Sequence, residues 1–406
     1  MTAQEIIKQA ELDLAERFNE IDQIALYNQN KVLSAFKLNR IALRHFAGTS
    51  GYGYDDTGRD TLCQLFSDVF HTESAIVSPL IANGTHAIST VLFGLLRPGD
   101  LMLAITGNPY DTLMDVIGGE KIGSLKDFGV NFDKIELNHE GKIDIDLAVN
   151  TIKEKKPAVI FIQRSRGYSW RSALSVSEIG EAIREIKKVS SAPVVIDNCY
   201  GEFTDTIEPT DVGADVIVGS LIKNPGGGLA QTGGYVAGKK KYIDLIAGRL
   251  TAPGIGMEVG SYAYGYQYYY QGFFIAPHVV AQALKASALF SRVFSQLGYE
   301  TLPYFDEKQN DIITSIKFKN KEELISFCQT VQIYSPVDSH VVPEPWDMPG
   351  YHHQVIMAAG AFVQGASIEL SADAPIKEPY IAYFQGALTY EHARIVLENI
   401  LNNFNL

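Results

Sequence analysis

Cysteine is scarce in this chain: Cys63, Cys199 and Cys328 are the only three in 406 residues, widely spaced and without a C-x-x-C pair. An odd, scattered set argues against a disulfide framework and a zinc knuckle, and points to a reducing, cytoplasmic compartment. Basic residues are outnumbered, 34 Lys and Arg against 47 Asp and Glu, for a net charge of −13. That balance offers no basic face to a phosphate backbone or an anionic lipid surface, so neither nucleic acid nor membrane is an expected partner. The first ten residues carry acids at helical spacing instead of the basic and then apolar segments of a secretory leader, and no apolar run reaches membrane-span length. Fixed-period repeats and low-complexity linkers are missing too. What is there is 46% hydrophobic residues, enough for one large α/β domain and a smaller one.

Residues 1–49 read as a helical arm, with Ile6, Leu12, Leu14, Ile21 and Ile24 near the helical period. From 50 to 275 short strands alternate with helices: strands at 74–77, 101–105, 158–162, 194–197, 216–219 and 234–237, helices at 86–96, 111–117 and 177–189. This alternation predicts βαβ units and a mostly parallel sheet covered on both faces. Residues 276–406 read as a connecting helix to about 297 and a small α+β domain, with strands at 312–318, 355–357 and 367–370 and helices at 321–331 and 391–404.

Two strand ends carry the chemistry. The run Val194-Val195-Ile196-Asp197 ends in a carboxylate, and Asp215-Val216-Ile217-Val218 leads into Ser220-Leu221-Ile222-Lys223-Asn224-Pro225-Gly226. Reactive groups of parallel sheets sit beyond the carboxyl ends of strands. A lysine that forms a Schiff base and an aspartate that keeps a pyridine nitrogen protonated are what pyridoxal 5′-phosphate (PLP) requires. In Asn83-Gly84-Thr85-His86 a turn opens an apolar helix, a ready phosphate seat, and Ser220 adds a hydroxyl. Tyr110, after strand 101–105, is placed to lay its ring on a flat cofactor. The loop Gly51 to Arg59 groups Tyr52, Tyr54 and Arg59. Plainer roles compete: a helix entry for Gly84-Thr85, a core aromatic for Tyr110, a packed ring for His86, subunit contact for tyrosines 262–270. No metal site is expected, because His352-His353 beside Tyr351 are adjacent and do not converge as i, i+4 ligands do. Ser220-x-x-Lys223 lacks the companion motifs of a β-lactamase, and Gly233 to Lys239 lacks the hydroxyl of a nucleotide loop.

The segments YGYDDTGRDTL, NGTHAI, QRSRGYSW, IDNCYGEF, GSLIKNPGGGLAQTGGY and APGIGMEVGSYAYGY resemble the PLP-dependent aluminium-resistance family, also called methionine gamma-lyase-like or cystathionine beta-lyase-like. The resemblance covers nearly the whole chain. It implies the aspartate aminotransferase fold (fold type I) and a homodimer or homotetramer with active sites shared between subunits. By motif, Lys223 matches the Schiff-base lysine, Asp197 the pyridine-nitrogen partner, Gly84, Thr85 and Ser220, with Asn83 beside them, the phosphate binders, and Tyr110 the stacking ring. Tyr52, Tyr54 and Arg59 are similar to residues that reach a neighbour's phosphate.

One departure concerns the arginine that, in the wider group, grips the substrate carboxylate from the C-terminal domain. Beyond Arg292 this chain has only Arg394, so Arg164 or Arg166 is the expected substitute. The implied activity is β- or γ-elimination from a small sulfur amino acid such as cystathionine, cysteine or methionine. Lys223, kept neutral by burial, would remove the Cα proton, and Tyr52 or Tyr54 would protonate the departing sulfur. Alternatives on the same fold are an aminotransferase or decarboxylase, or a PLP-binding stress-resistance protein with little turnover.

Overall fold

The structure is a computed structural model that describes residues 2–348 and 353–404. Tyr351 and His352 of the aromatic and histidine cluster lie outside the described residues.

A capping box in which Thr2 and Glu5 satisfy each other's backbone N–H groups starts the helix Ala3–Asp13, and the helix Ala15–Leu38 follows. The first buries Ile6, Ile7 and Ala10 in the C-terminal core, and the second packs on the long helix Gln267–Gln296.

Seven strands form the large sheet: β1 (Ser74–Ser78), β2 (Leu101–Ala104), β3 (Asn131–Lys134), β4 (Val159–Gln163), β5 (Val194–Asp197), β6 (Val216–Ser220) and β7 (Gly234–Gly238), in the order β1-β7-β6-β5-β4-β2-β3. Only β7 runs against its neighbours. β4, β5 and β6 are buried at every position, which is why they read as unbroken Val and Ile runs without alternation. Helices cover both faces, so the fold is α/β with a mainly parallel sheet.

A second, antiparallel sheet of five strands has the order β10-β11-β12-β9-β8, from β8 (Glu300–Leu302), β9 (Ile313–Lys317), β10 (Val355–Ala358), β11 (Ser371–Pro375) and β12 (Ile381–Gln385). One face, with Ile316, Ala372, Ala374, Ala382 and Phe384, packs under the helices Lys321–Ile333 and Tyr390–Asn403. The opposite face carries Ile313, Ile381 and Tyr383, which pack with Tyr168 and Tyr200 from the ends of the large sheet. This contact closes the small sheet over the carboxyl ends of β4 and β5.

Three expectations change. The strand expected at 367–370 is a turn, and the pairing strand begins at Ser371. The Gly-rich loop ends at Asp56, whose carboxylate caps the helix Thr57–Val69, so Arg59 is helical. Gln267–Gln296 is, by length and composition, apolar enough to cross a membrane; it is mostly buried here as the central core helix.

Candidate active site

Parallel pairing sets Gln163 of β4 beside Asp197 of β5, and Asp197 beside Val218 of β6. The carboxylate is therefore presented at the sheet's edge together with the turn that follows β6. Asp197 is buried and its Oδ1 accepts the Cys199 N–H at 3.2 Å. Burial pushes its carboxyl pKa up, and Lys223 pulls the other way. Beyond β6, the chain turns tightly at Asn224–Gly226, where a Cβ on Gly226 would stand 1.7 Å from the Leu221 carbonyl oxygen. That turn aims Lys223 back over the sheet, with Nζ 4.0 Å from the centre of the Tyr200 ring.

The amine is not held neutral as expected. Desolvation disfavours the ammonium, but Cys199, Tyr200, Asp197 and Tyr110 around it outweigh that and raise its pKa well above the lysine norm.

The phosphate seat expected from the sequence falls at the start of the helix Gly84–Leu95. Asn83 caps it by accepting the His86 N–H at 2.8 Å, leaving the Gly84 and Thr85 N–H groups outside that exchange. His86 turns back to accept the Ala82 N–H at 3.0 Å but is exposed, so it is not the packed ring expected. A Cβ on Gly84 would lie 3.5 Å from Ser220 Cβ and 3.6 Å from Cys199 Sγ, so a residue without a side chain keeps open a space bordered by all three. The Ser220 hydroxyl is buried there without a hydrogen-bond partner. A buried donor left unpaired is costly unless a ligand takes it. Tyr110 joins the group through a 3.0 Å contact between its hydroxyl and that of Thr85, and its backbone N–H donates to Gln163 Oε1 at 2.9 Å. Burial drives the Tyr110 phenol far above its ordinary pKa, so it stays protonated. A flat, phosphate-bearing aldehyde fits this donor set: free N–H groups and a hydroxyl for the anion, an aromatic ring for the face, an amine and a buried carboxylate.

Other expected residues lie elsewhere or are already engaged. Tyr52 and Tyr54 are 72% and 62% exposed and stack on each other at 5.4 Å. Arg59 is buried, donating to the Gly53 carbonyl at 3.0 Å and to Asp60 at 2.9 Å, so it staples its own loop and does not project outward. Neither arginine after β4 presents a free fork. Arg164 bonds Leu174 O, Asn198 Oδ1 and Thr204 Oγ1, with Glu208 at 3.9 Å. Arg166 grips both oxygens of buried Asp311, at 2.9 and 3.3 Å, and donates to Leu302 O at 2.7 Å. The expectation that either holds the substrate carboxylate is thus corrected: each is a fully engaged structural cation. Of the tyrosines expected at a subunit contact, Tyr266 and Tyr270 are internal, donating to Asp56 and the Gly58 carbonyl, while Tyr264 and Tyr268 are exposed.

Sequence reasoning missed Tyr200, Cys199 and Gln163, which complete the surroundings of Lys223, Asp197 and Tyr110. The sequence signal was the segment Asp197-Asn198-Cys199-Tyr200, with an aromatic three residues past the strand-end acid. Tyr200 and Phe203 both adopt positive φ, 71° and 63°, a strained state for aromatics that clusters at functional sites. Also missed was a buried pair behind the lysine turn: Tyr235 donates to Glu202 Oε1 at 2.8 Å, and Glu202 Oε2 has no partner.

A family described as methionine gamma-lyase matches residues 3–405. Among curated proteins, the uncharacterized protein YnbB of Bacillus subtilis (strain 168) is 50% identical over 390 residues, 95% of this chain and 92% of that one. A solved structure of a carbon-sulfur lyase involved in aluminum resistance from Clostridium novyi NT is 50% identical, covers 99% of this chain and 96% of that one, and superposes with a TM-score of 0.95. The pyridoxal-5′-phosphate dependent protein YhfS from Escherichia coli, at 15% identity, shares the fold over 95% of this chain and 97% of that one with a TM-score of 0.62.

Proposed function

Because the chain belongs to the methionine gamma-lyase family, we propose that it is a carbon–sulfur lyase that releases a thiol from the β or γ carbon of a small sulfur amino acid such as cystathionine, cysteine or methionine, leaving a 2-oxo acid and ammonia. The cofactor is pyridoxal 5′-phosphate. The observation that carries the reading is the enclosure of Lys223 by Tyr200, Cys199, Tyr110 and Asp197 beside the unpartnered Ser220 hydroxyl.

Bound at this site, the cofactor supplies an electron sink that makes the substrate Cα–H acidic. Lys223 Nζ is the group placed to take and return that proton, which it can do once its amine is free and unprotonated. Asp197 holds a negative charge or a proton at its carboxyl oxygens where a heterocyclic N–H would be stabilised. Gly84, Thr85 and Ser220 bind the phosphate through N–H and O–H groups, and Asn83 shapes their helix start. Tyr110 orients the ring, and as a neutral phenol it can donate its O–H proton to a leaving thiolate.

The exposed Tyr52, Tyr54 and Tyr264 belong, in this reading, to the contact with a second copy, where Tyr54 completes the neighbouring site in a homodimer or homotetramer. The enzyme acts in the cytoplasm, where its three free, buried thiols stay reduced. A panel of cystathionine, cysteine and methionine given to the PLP-loaded enzyme tests the proposal. Thiol, 2-oxo acid and ammonia without an amino acceptor support it; stoichiometric transfer of the amino group to a second oxo acid rejects it.

A further inference from the structure

Arg171, on the segment that follows β4, is held by backbone carbonyls. Its Nη2 donates to the carbonyls of Ser165 at 2.5 Å and Gln163 at 3.5 Å, and its Nη1 to that of Ser172 at 3.0 Å. Among the described residues none of its contacts is a carboxylate. The nearby Arg166 is closed on Asp311, whereas Arg171 has no carboxylate of its own at ion-pair distance among the described residues. Partial burial, and Arg166 beside it, hold its pKa down to about 10, with Asp311 opposing them. Carbonyl dipoles fix the group in place but leave its charge unpaired and donors such as Nε–H free.

Its position ties it to the site. Gln163 Nε2 donates at 3.3 Å to the same Ser165 carbonyl that Arg171 uses. The other end of the Gln163 amide accepts the Tyr110 N–H, and Gln163 pairs across the sheet with Asp197. One shared acceptor thus separates Arg171 from the side chain that links Tyr110 to the β4 end. The other arginines considered are engaged: Arg164 and Arg166 as above, Arg292 on Asp13, Arg394 on Glu11.

We propose that Arg171 binds the α-carboxylate of the amino-acid substrate, the position left open by the absent C-terminal arginine. This rests on the reading of the site as one for PLP chemistry on an amino acid, but not on which bond that chemistry breaks. A carboxylate arriving there meets a preformed, charged donor, and the resulting charge-assisted bonds discriminate against a neutral analogue.

The test compares binding of L-alanine and L-alaninamide to PLP-loaded protein, followed by the change in cofactor absorbance. The wild type is expected to favour the carboxylate by roughly 10- to 100-fold, as hydrogen bonds to charged groups do. Arg171→Gln should abolish that preference and Arg171→Lys restore part of it, with melting temperature and cofactor content unchanged. A wild type without the preference, or an Arg171→Gln that keeps it, overturns the assignment. If Arg171→Gln does not fold, phenylglyoxal labelling of the wild type decides: protection of Arg171 by alanine but not by alaninamide supports the assignment, and equal labelling in both overturns it. Loss of the preference in a protein that releases no thiol from any substrate would reject the lyase reading while leaving Arg171 in place.

Discussion

The ammonium nitrogen of Lys223 lies 4.0 Å from the centre of the Tyr200 ring, and Tyr200 holds that ring there from a backbone φ of 71°. A desolvated cation over an aromatic face gains about 2 kcal/mol, enough to offset backbone strain of about 1–3 kcal/mol in part. Tyr200→Leu should therefore lower the unfolding free energy of the cofactor-free protein by about 1–2 kcal/mol in urea titration. Tyr200→Phe keeps the ring and should match the wild type, whereas equal loss in both would assign the effect to the hydroxyl.

Ser220 should give effects of opposite sign in two states. Its hydroxyl is buried without a partner in the protein alone, so Ser220→Ala should stabilise the cofactor-free form by about 1 kcal/mol. The same change removes a donor to phosphate, and PLP affinity should fall roughly 10-fold. Calorimetric melting of the cofactor-free protein and PLP titration read the two; a destabilised cofactor-free protein with unchanged affinity would remove Ser220 from the phosphate seat.

Glu202 predicts a pH trend. Burial raises its carboxyl to about 8 from the ordinary 4.5, with Tyr235 and Lys223 resisting. Between those values the folded protein keeps a proton that the unfolded chain has released. This group therefore makes stability fall as pH rises from 4.5 to about 8, at up to about 1.4 kcal/mol per pH unit, and has no further effect above. Glu202→Gln should flatten that slope in urea titrations run across the window, and an unaltered slope would show that Glu202 ionises normally.

The Arg166 and Asp311 pair is buried on both sides, with side-chain exposures of 1% and 0%. Removing one partner strands the other's charge, so Asp311→Ala should destabilise by about 3–5 kcal/mol. Replacing both residues with apolar ones of similar size should recover most of the loss; a single variant within about 1 kcal/mol of wild type in urea would mean that the pair is hydrated in solution.

The strand-end lysine and aspartate were legible in the sequence because parallel strands place function at their carboxyl ends and buried strands announce themselves by unbroken β-branched runs. The helix start at Gly84 was legible for a similar reason, since its turn and cap are local. The arginines were not. Whether Arg164 and Arg166 face a substrate depends on Asn198, Thr204, Glu208 and Asp311, partners that are 34 to 145 residues away. Arg59 misled because Asp56, three residues earlier, begins a helix inside what reads as a flexible loop. β11 escaped because Ser371-Ala372-Asp373-Ala374-Pro375 has small and polar residues where strands favour β-branched ones; its place comes from pairing with β10 and β12.

The proposed function turns on the Nζ atom of Lys223 as the point at which the cofactor would be held covalently. Borohydride reduction of the PLP-loaded protein, followed by peptide mapping by mass spectrometry, measures that directly. The expected result is a single phosphopyridoxyl label on Lys223, absent in Lys223→Ala even though that variant still binds PLP through Gly84, Thr85 and Ser220. A label on another lysine, or none in a protein that carries PLP, would contradict the account.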